Sequence, residues 1–86
     1  MRVLIPSPLF SYTDGKSEVE ATGRTLGEVL SDLDRRFPGL RFRVVDEHGA
    51  IREHVRMWVA GTLVRTLDAP VHERDDVAIV AALSGG

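Results

Sequence analysis

The sequence predicts an α+β domain in two layers, a mixed sheet of four to five strands with one main helix packed across it. Three observations lead there. Only one stretch, from Thr25 to Phe37, repeats its apolar residues at helical spacing. Short β-branched or alternating runs stand at Val3-Leu4-Ile5, Glu18-Val19-Glu20-Ala21, Val55 to Ala60 and Val77 to Ala82. Turn residues separate these runs in the order β-β-α-β-(β)-β, and a helix with a single apolar stripe covers just one face of a sheet. At 86 residues the chain is one domain, expected over residues 1–82 and followed by a flexible C-terminal tail at 83–86.

The first strand is expected over Arg2–Pro6, bounded by Pro6 and Pro8 because proline cannot donate to a ladder. Thr13-Asp14-Gly15-Lys16 is a turn of the Asp-Gly kind, so the strand at Glu18–Ala21 makes a hairpin with the first through a long connection. In the helix, Leu26, Val29, Leu30, Leu33 and Phe37 share one face. Thr25 with Glu28 is a capping-box pattern, Arg35 and Arg36 complement the dipole at the last turn, and Pro38-Gly39 stops the helix. Glu28, Ser31, Asp32 and Asp34 form its solvated face. Phe42, Val44 and Val45 are compatible with a strand or an irregular segment, and Asp46-Glu47-His48-Gly49 is a turn.

Val55, Met57 and Val59 alternate with Arg56, Trp58 and Ala60 as a half-buried strand requires. Gly61-Thr62 turns the chain into a short return strand at Leu63 and Val64. Asp68-Ala69-Pro70 marks a loop and Asp75-Asp76 a turn; Val77 to Ala82 is apolar throughout, as suits a strand buried on much of both faces. The closed arrangement sets the first and last strands side by side at the centre of the sheet. Val77, Ile79 and Ala81 then face the helix, and Ala78, Val80 and Ala82 face outward. The same rule turns Val55, Met57 and Val59 inward and leaves Trp58 on the open face, where exposed apolar side chains mark a partner surface. A one-residue slip in register would put Trp58 in the core instead.

Composition narrows the function. Without cysteine the chain has neither disulfides nor thiolate chemistry, and it lacks the run of about 18 apolar residues that a membrane span needs. No signal-peptide pattern opens it, so a cytoplasmic location is expected. Eleven Lys+Arg against thirteen Asp+Glu, well mixed, argue against nucleic acid as a partner, and nothing points to a membrane surface. A chain this short has little room for a substrate pocket beside its core, which lowers the expectation of an enzyme. His48, His54 and His72 lack metal-ligand spacing and read as solvated loop or edge residues. Gly23 and Gly27 do not form a phosphate loop, and the Asp75-Asp76 pair is explained by a turn. Lys16, the single lysine, reads as a solvated turn residue.

Two of the eight glycines are the last two residues, Gly85 and Gly86, a placement that average composition gives by chance about 0.5% of the time. Glycine pairs fit slots too narrow for a side chain, and at ~3.3 Å per residue the segment from Ala82 to Gly86 reaches about 16 Å. That span is long enough to carry a terminal carboxylate into the active site of another protein.

The whole chain resembles the ubiquitin-like, β-grasp sulfur-carrier proteins of the ThiS/MoaD family, and within it the CysO-type branch. The resemblance rests on Ile5-Pro6-Ser7-Pro8-Leu9, on Tyr12-Thr13-Asp14-Gly15, and on Gly23-Arg24-Thr25-Leu26-Gly27-Glu28-Val29-Leu30. It continues through Phe37-Pro38-Gly39-Leu40, Val59-Ala60-Gly61, Asp75-Asp76-Val77-Ala78-Ile79 and Ala82-Leu83-Ser84-Gly85-Gly86. Ala60 departs from the asparagine usual at that turn. The resemblance implies a protein that is acted upon and has no catalytic residue of its own. An E1-like adenylyltransferase of the ThiF/MoeB type would use ATP and magnesium to adenylate Gly86, and a sulfur donor would convert it to a thiocarboxylate. Ser84, Gly85 and Gly86 would enter the partner's active site, while Trp58, Val80 and Leu83 would dock the partner. A synthase of thiamin, molybdopterin, cysteine or secondary-metabolite formation would receive the sulfur, with a zinc-dependent tail protease as a further partner. The chain itself would bind no metal or cofactor. Two other classes stay open: a ubiquitin-like modifier joined through Gly86 to lysines, and a non-covalent adaptor subunit.

Overall fold

The computed structural model describes residues 1–81; Ala82 and the expected tail at 83–86 lie outside them. The elements in chain order are β1 (Arg2–Leu4), a 3₁₀ segment at Ser7–Tyr12, β2 (Glu18–Glu20), α1 (Leu26–Arg36), α2 (Leu40–Val44), β3 (Val55–Val59), β4 (Thr62–Val64) and β5 (Asp76–Ala81). They build one five-stranded mixed sheet in the order β2-β1-β5-β3-β4. β5 lies parallel to β1 and antiparallel to β3, so the first and last strands are neighbours and β5 is central, as its apolar sequence predicts.

The core follows from two periodicities meeting. Val3, Val19, Val77, Ile79, Val55, Met57 and Val59 point to the helix side of the sheet, and Leu26, Val29, Leu30 and Leu33 of α1 complete the same buried cluster. Each such side chain contributes about 1.5–3 kcal/mol by leaving water. Trp58 alternates out of this set, which settles the register: the inward trio is Val55, Met57 and Val59, and Trp58 stands on the open face. Met57 is fully buried while Trp58 keeps 37% of its surface.

Helix α1 starts at the expected cap. Thr25 Oγ1 accepts the Glu28 amide at 3.2 Å, while the Glu28 carboxylate accepts from the Arg24 amide, one residue before the cap. The reciprocal half of the box is therefore shifted by one position. Carbonyls of the 67–70 loop take the remaining first-turn donors, Leu26 N to Ala69 O and Gly27 N to Leu67 O, so the helix start is satisfied within the chain. The polar face of α1 is less solvated than its sequence suggests. Asp32 accepts the Thr22 amide and pairs with Arg35 and Arg36, and Asp34 Oδ1 accepts the amides of Gly39 and Arg41, both at 3.1 Å.

Residues 40–44 correct the sequence reading most. They form neither a strand nor an irregular segment but a five-residue helix, α2. Gly39, at φ 94°, turns the chain after α1, and the Asp34 carboxylate then accepts the amides of Gly39 and Arg41. Leu40 and Val44, four residues apart, drop into the core together. Smaller differences also have physical reasons. The first strand ends at Leu4, and the connection to β2 folds into the 3₁₀ segment that buries Leu9. The β3–β4 turn is Ala60-Gly61, both at positive φ, with Thr62 already in β4. Asp75 caps its turn by accepting the His72 amide, but Asp76 is the first residue of β5 and pairs with Arg2.

Candidate functional site: the open sheet face

The face of the sheet turned away from α1 carries the predicted surface. In register, Leu4 stands opposite Ala78, Ala78 opposite Trp58 and Trp58 opposite Leu63, so one row of apolar side chains crosses β1, β5, β3 and β4. Directly paired residues share a face, and this row is continuous because each partner is a direct one. Val80 lies two residues farther along β5, opposite Arg56. Leu4, Trp58 and Val80 keep 39%, 37% and 48% of their surface, so the patch is open to a partner. Ala78 and Trp58, paired across the β5–β3 ladder, form its middle.

Charge frames the row unevenly. At the β2–β1 end Arg2 is held by Asp76 at 2.7 Å and by Glu18 at 3.7 Å, so its charge is neutralised within the sheet. At the other end the Arg56 guanidinium donates to the carbonyls of Glu53 and Val55 at 2.7 and 3.1 Å. Arg56 and Val80 therefore flank the path by which β5 leads toward residues 82–86.

Of the predicted site residues, Trp58 and Val80 meet on one face; Leu83, Ser84, Gly85 and Gly86 lie outside the described residues. Leu4 and Leu63 complete the row and were not singled out from the sequence. Burial of Val3 on one side of β1 was the available signal, since it turns Leu4 to the other. His48, His54 and His72 are exposed, and among the described residues no group of three or more acidic or histidine side chains is placed to hold a metal. Lys16 is exposed in its turn. No helix among the described residues is long and apolar enough to cross a membrane.

The sheet order, the single helix laid across it and the central C-terminal strand define a ubiquitin-like β-grasp domain. The ThiS family matches residues 3–86, and the chain belongs to that family. Sulfur carrier protein CysO of Mycobacterium tuberculosis is 35% identical over 89 residues, an alignment that takes in 98% of this chain and 96% of that protein. The CysO crystal structure from the same organism superposes with a TM-score of 0.90, covering 95% of this chain and 98% of the other at 33% identity. A chain of the Amycolatopsis orientalis BexX/CysO complex superposes with a TM-score of 0.91 at 33% identity, over 99% of this chain and 98% of that one. SAMP1 from Haloferax volcanii, 24% identical over 100% of this chain and 98% of its own, has the same fold at a TM-score of 0.78.

Proposed function

We propose that this protein is a sulfur carrier whose reactive group is the carboxylate of Gly86. The observation that carries the reading is the full-length likeness to CysO sulfur carriers together with a Gly85-Gly86 end placed five residues beyond the central strand. A free carboxylate is a poor electrophile. An E1-like enzyme with ATP and magnesium would join AMP to Gly86 and release pyrophosphate, and a sulfur nucleophile would then displace AMP to leave a thiocarboxylate. Gly85 and Gly86 present no Cβ to a narrow channel, and Ser84 would precede them into it. In this reading the domain is a substrate for its partners, binds no cofactor of its own, and works in the cytoplasm.

The open face is the proposed docking surface. Trp58 and Val80, extended by Leu83, would be buried first by the activating enzyme and then by the synthase that takes the sulfur. A chain of the Amycolatopsis BexX/CysO complex has the same fold, and this supports a protein partner here. The acceptor would belong to thiamin, molybdopterin, cysteine or secondary-metabolite formation, and a zinc-dependent protease that trims the tail fits the same scheme.

Intact-mass measurement of the purified chain with an E1-like enzyme, ATP, magnesium and a sulfide source tests the reading. Exchange of one oxygen for sulfur at the C-terminal glycine is the expected product. A ladder of lysine conjugates would instead make the chain a modifier, and an unchanged mass with every E1-like partner tried would leave it an adaptor.

A further inference from the structure

The most exposed large apolar side chain recorded is not on the sheet: Phe42, on α2, keeps 55% of its surface against 37% for Trp58. A single exposed apolar residue needs no explanation, but this one is held in place from several directions. Asp34 fixes the start of α2 through the amides of Gly39 and Arg41. At its other end Arg52 donates from Nε to the Phe42 carbonyl at 2.8 Å, its guanidinium carbon lies 4.6 Å from the centre of the Phe42 ring, and its amide donates to Val44 O. Arg43 stands over Tyr12 at 6.0 Å in the same way. Ring and guanidinium groups are thereby ordered before any partner arrives, which removes part of the entropy cost of binding.

The charge of this region opposes that of the whole. Residues 40–52 hold three arginines, Arg41, Arg43 and Arg52, against Asp46 and Glu47, a net of +1 in a chain whose total is −2. Asp46 is already engaged, its carboxylate accepting the amides of His48 and Ala50. Among the described residues neither Arg41, Arg43 nor Arg52 has a carboxylate within ion-pair distance, whereas Arg2, Arg35 and Arg36 all do. Guanidinium groups that keep N–H donors to spare match carboxylates in geometry as well as charge.

We propose that Phe42, with the guanidinium groups of Arg43 and Arg52, forms a second docking surface that takes a carboxylate-rich segment of a protein partner. Because α2 packs against α1 on the covered side of the sheet, this surface is separate from the Trp58 row, and one partner can hold it while another occupies the open face. An apolar side chain within the acidic segment covers the Phe42 ring.

The test titrates the full ¹⁵N-labelled chain with a synthetic peptide of alternating glutamate and leucine, and in parallel with single-stranded oligothymidylate. Neither the E1-like enzyme nor Gly86 is needed, so the result is independent of the sulfur chemistry. Peptide-induced amide shifts are expected at residues 40–44 and 52. Arg43→Glu and Arg52→Glu should each weaken binding about tenfold, Phe42→Ala should weaken it also, and salt at about 0.5 M should remove most of it. Phe42 is exposed, so its removal leaves the remaining amide spectrum in place and separates lost contact from lost fold. Absence of shifts, shifts centred on Arg56 or Arg2, or indifference to all three substitutions would overturn the proposal. Tighter binding of the oligothymidylate at the same residues would overturn it in favour of a nucleic-acid surface.

Discussion

Trp58 and Ala78 face each other across the β3–β5 ladder, a large ring opposite a methyl group at the centre of the open sheet face. A small residue beside a large one makes a shallow depression that a partner can fill, and Trp is the residue type in which binding energy concentrates. Trp58→Ala should cost about 1–2 kcal/mol of stability, since the side chain is already partly exposed, yet weaken the complex with the activating enzyme by about 30-fold or more. Ala78→Arg should impair the same complex with little change in denaturation midpoint. Paired calorimetric titration and urea denaturation of each variant separate the two effects; a loss of stability exceeding the loss of affinity would overturn the docking role of Trp58.

Gly86 should be separable from the fold altogether. Deleting it, or adding one residue after it, should abolish formation of the mass-shifted species while the thermal midpoint stays where it was. Retained thiocarboxylate formation on the extended chain would sink the carboxylate mechanism.

Ala60 is the residue that the β3–β4 turn fits least well. It occupies the left-handed region at φ 49°, followed by Gly61 at φ 81°, and an L-residue with a Cβ resists that conformation by about 1–2 kcal/mol. The Asp14-Gly15 turn solves the same problem with residues that tolerate it, Asp14 at φ 55° and Gly15 at φ 81°. Ala60→Asn should therefore stabilise the domain by about 1 kcal/mol, a rise of about 4–8 °C in melting temperature for a domain of this size. Ala60→Gly should gain less, because glycine adds freedom to the unfolded chain. A scanning-calorimetry comparison checks the order Asn, Gly, Ala.

Gly23 is needed for space. A Cβ there would stand 2.7 Å from the Val29 amide nitrogen and 2.9 Å from the Glu28 Cβ, against the first turn of α1. Neither the backbone nor the base of a capped helix yields cheaply, so Gly23→Ala should cost about 2–3 kcal/mol in urea denaturation. By contrast Gly49→Ala meets nothing within 4 Å; its cost should come only from the positive φ of 80°.

Acid should loosen the β2–α1 connection. The Thr22 amide, with Arg36 and Arg35 close by, holds the Asp32 carboxyl below the ordinary carboxylate range against the opposing effect of its burial. A carboxyl whose pKa is lower folded than unfolded contributes stability above its unfolded value, and that contribution fades as pH falls below about 4. The stability gap between the native chain and Asp32→Asn should accordingly be present at neutral pH and close through the acid range. Urea midpoints measured at both pH values give the answer, and a gap that persists in acid would mean that Asp32 acts through packing alone.

Legibility in the sequence tracked how local each signal was. Helix α1 was plain because five apolar residues, a threonine cap and a proline stop all agree within fourteen positions. Strand β3 was plain by alternation, which favoured Trp58 outside but left a one-residue slip open until the inward burial of Val55, Met57 and Val59 decided it. Helix α2 was not, because Phe42 and Val44 two apart mimic a strand, whereas the helix is set by Leu40 with Val44 and by a carboxylate at Asp34 that the pattern does not reveal. The apolar row was only half visible. Trp58 and Val80 follow from their own strands, but Leu4 joins them through the pairing of β1 with β5, over seventy residues away in sequence. Gly85 and Gly86 stood out by position, while the chemistry proposed for them comes from kinship.

The central place of β5 has a consequence for how the molecule is made. Without Asp76–Ala81 the sheet falls into two unconnected hairpins, β1 with β2 and β3 with β4, since β5 is the one strand that joins them. During synthesis, then, the first 75 residues cannot close the domain, and closure waits for the strand that immediately precedes the glycine end. The docking row is assembled by the same event, because Ala78 supplies its middle and Val80 its flank. A chain truncated upstream of β5 lacks Gly85-Gly86 and the assembled apolar row together.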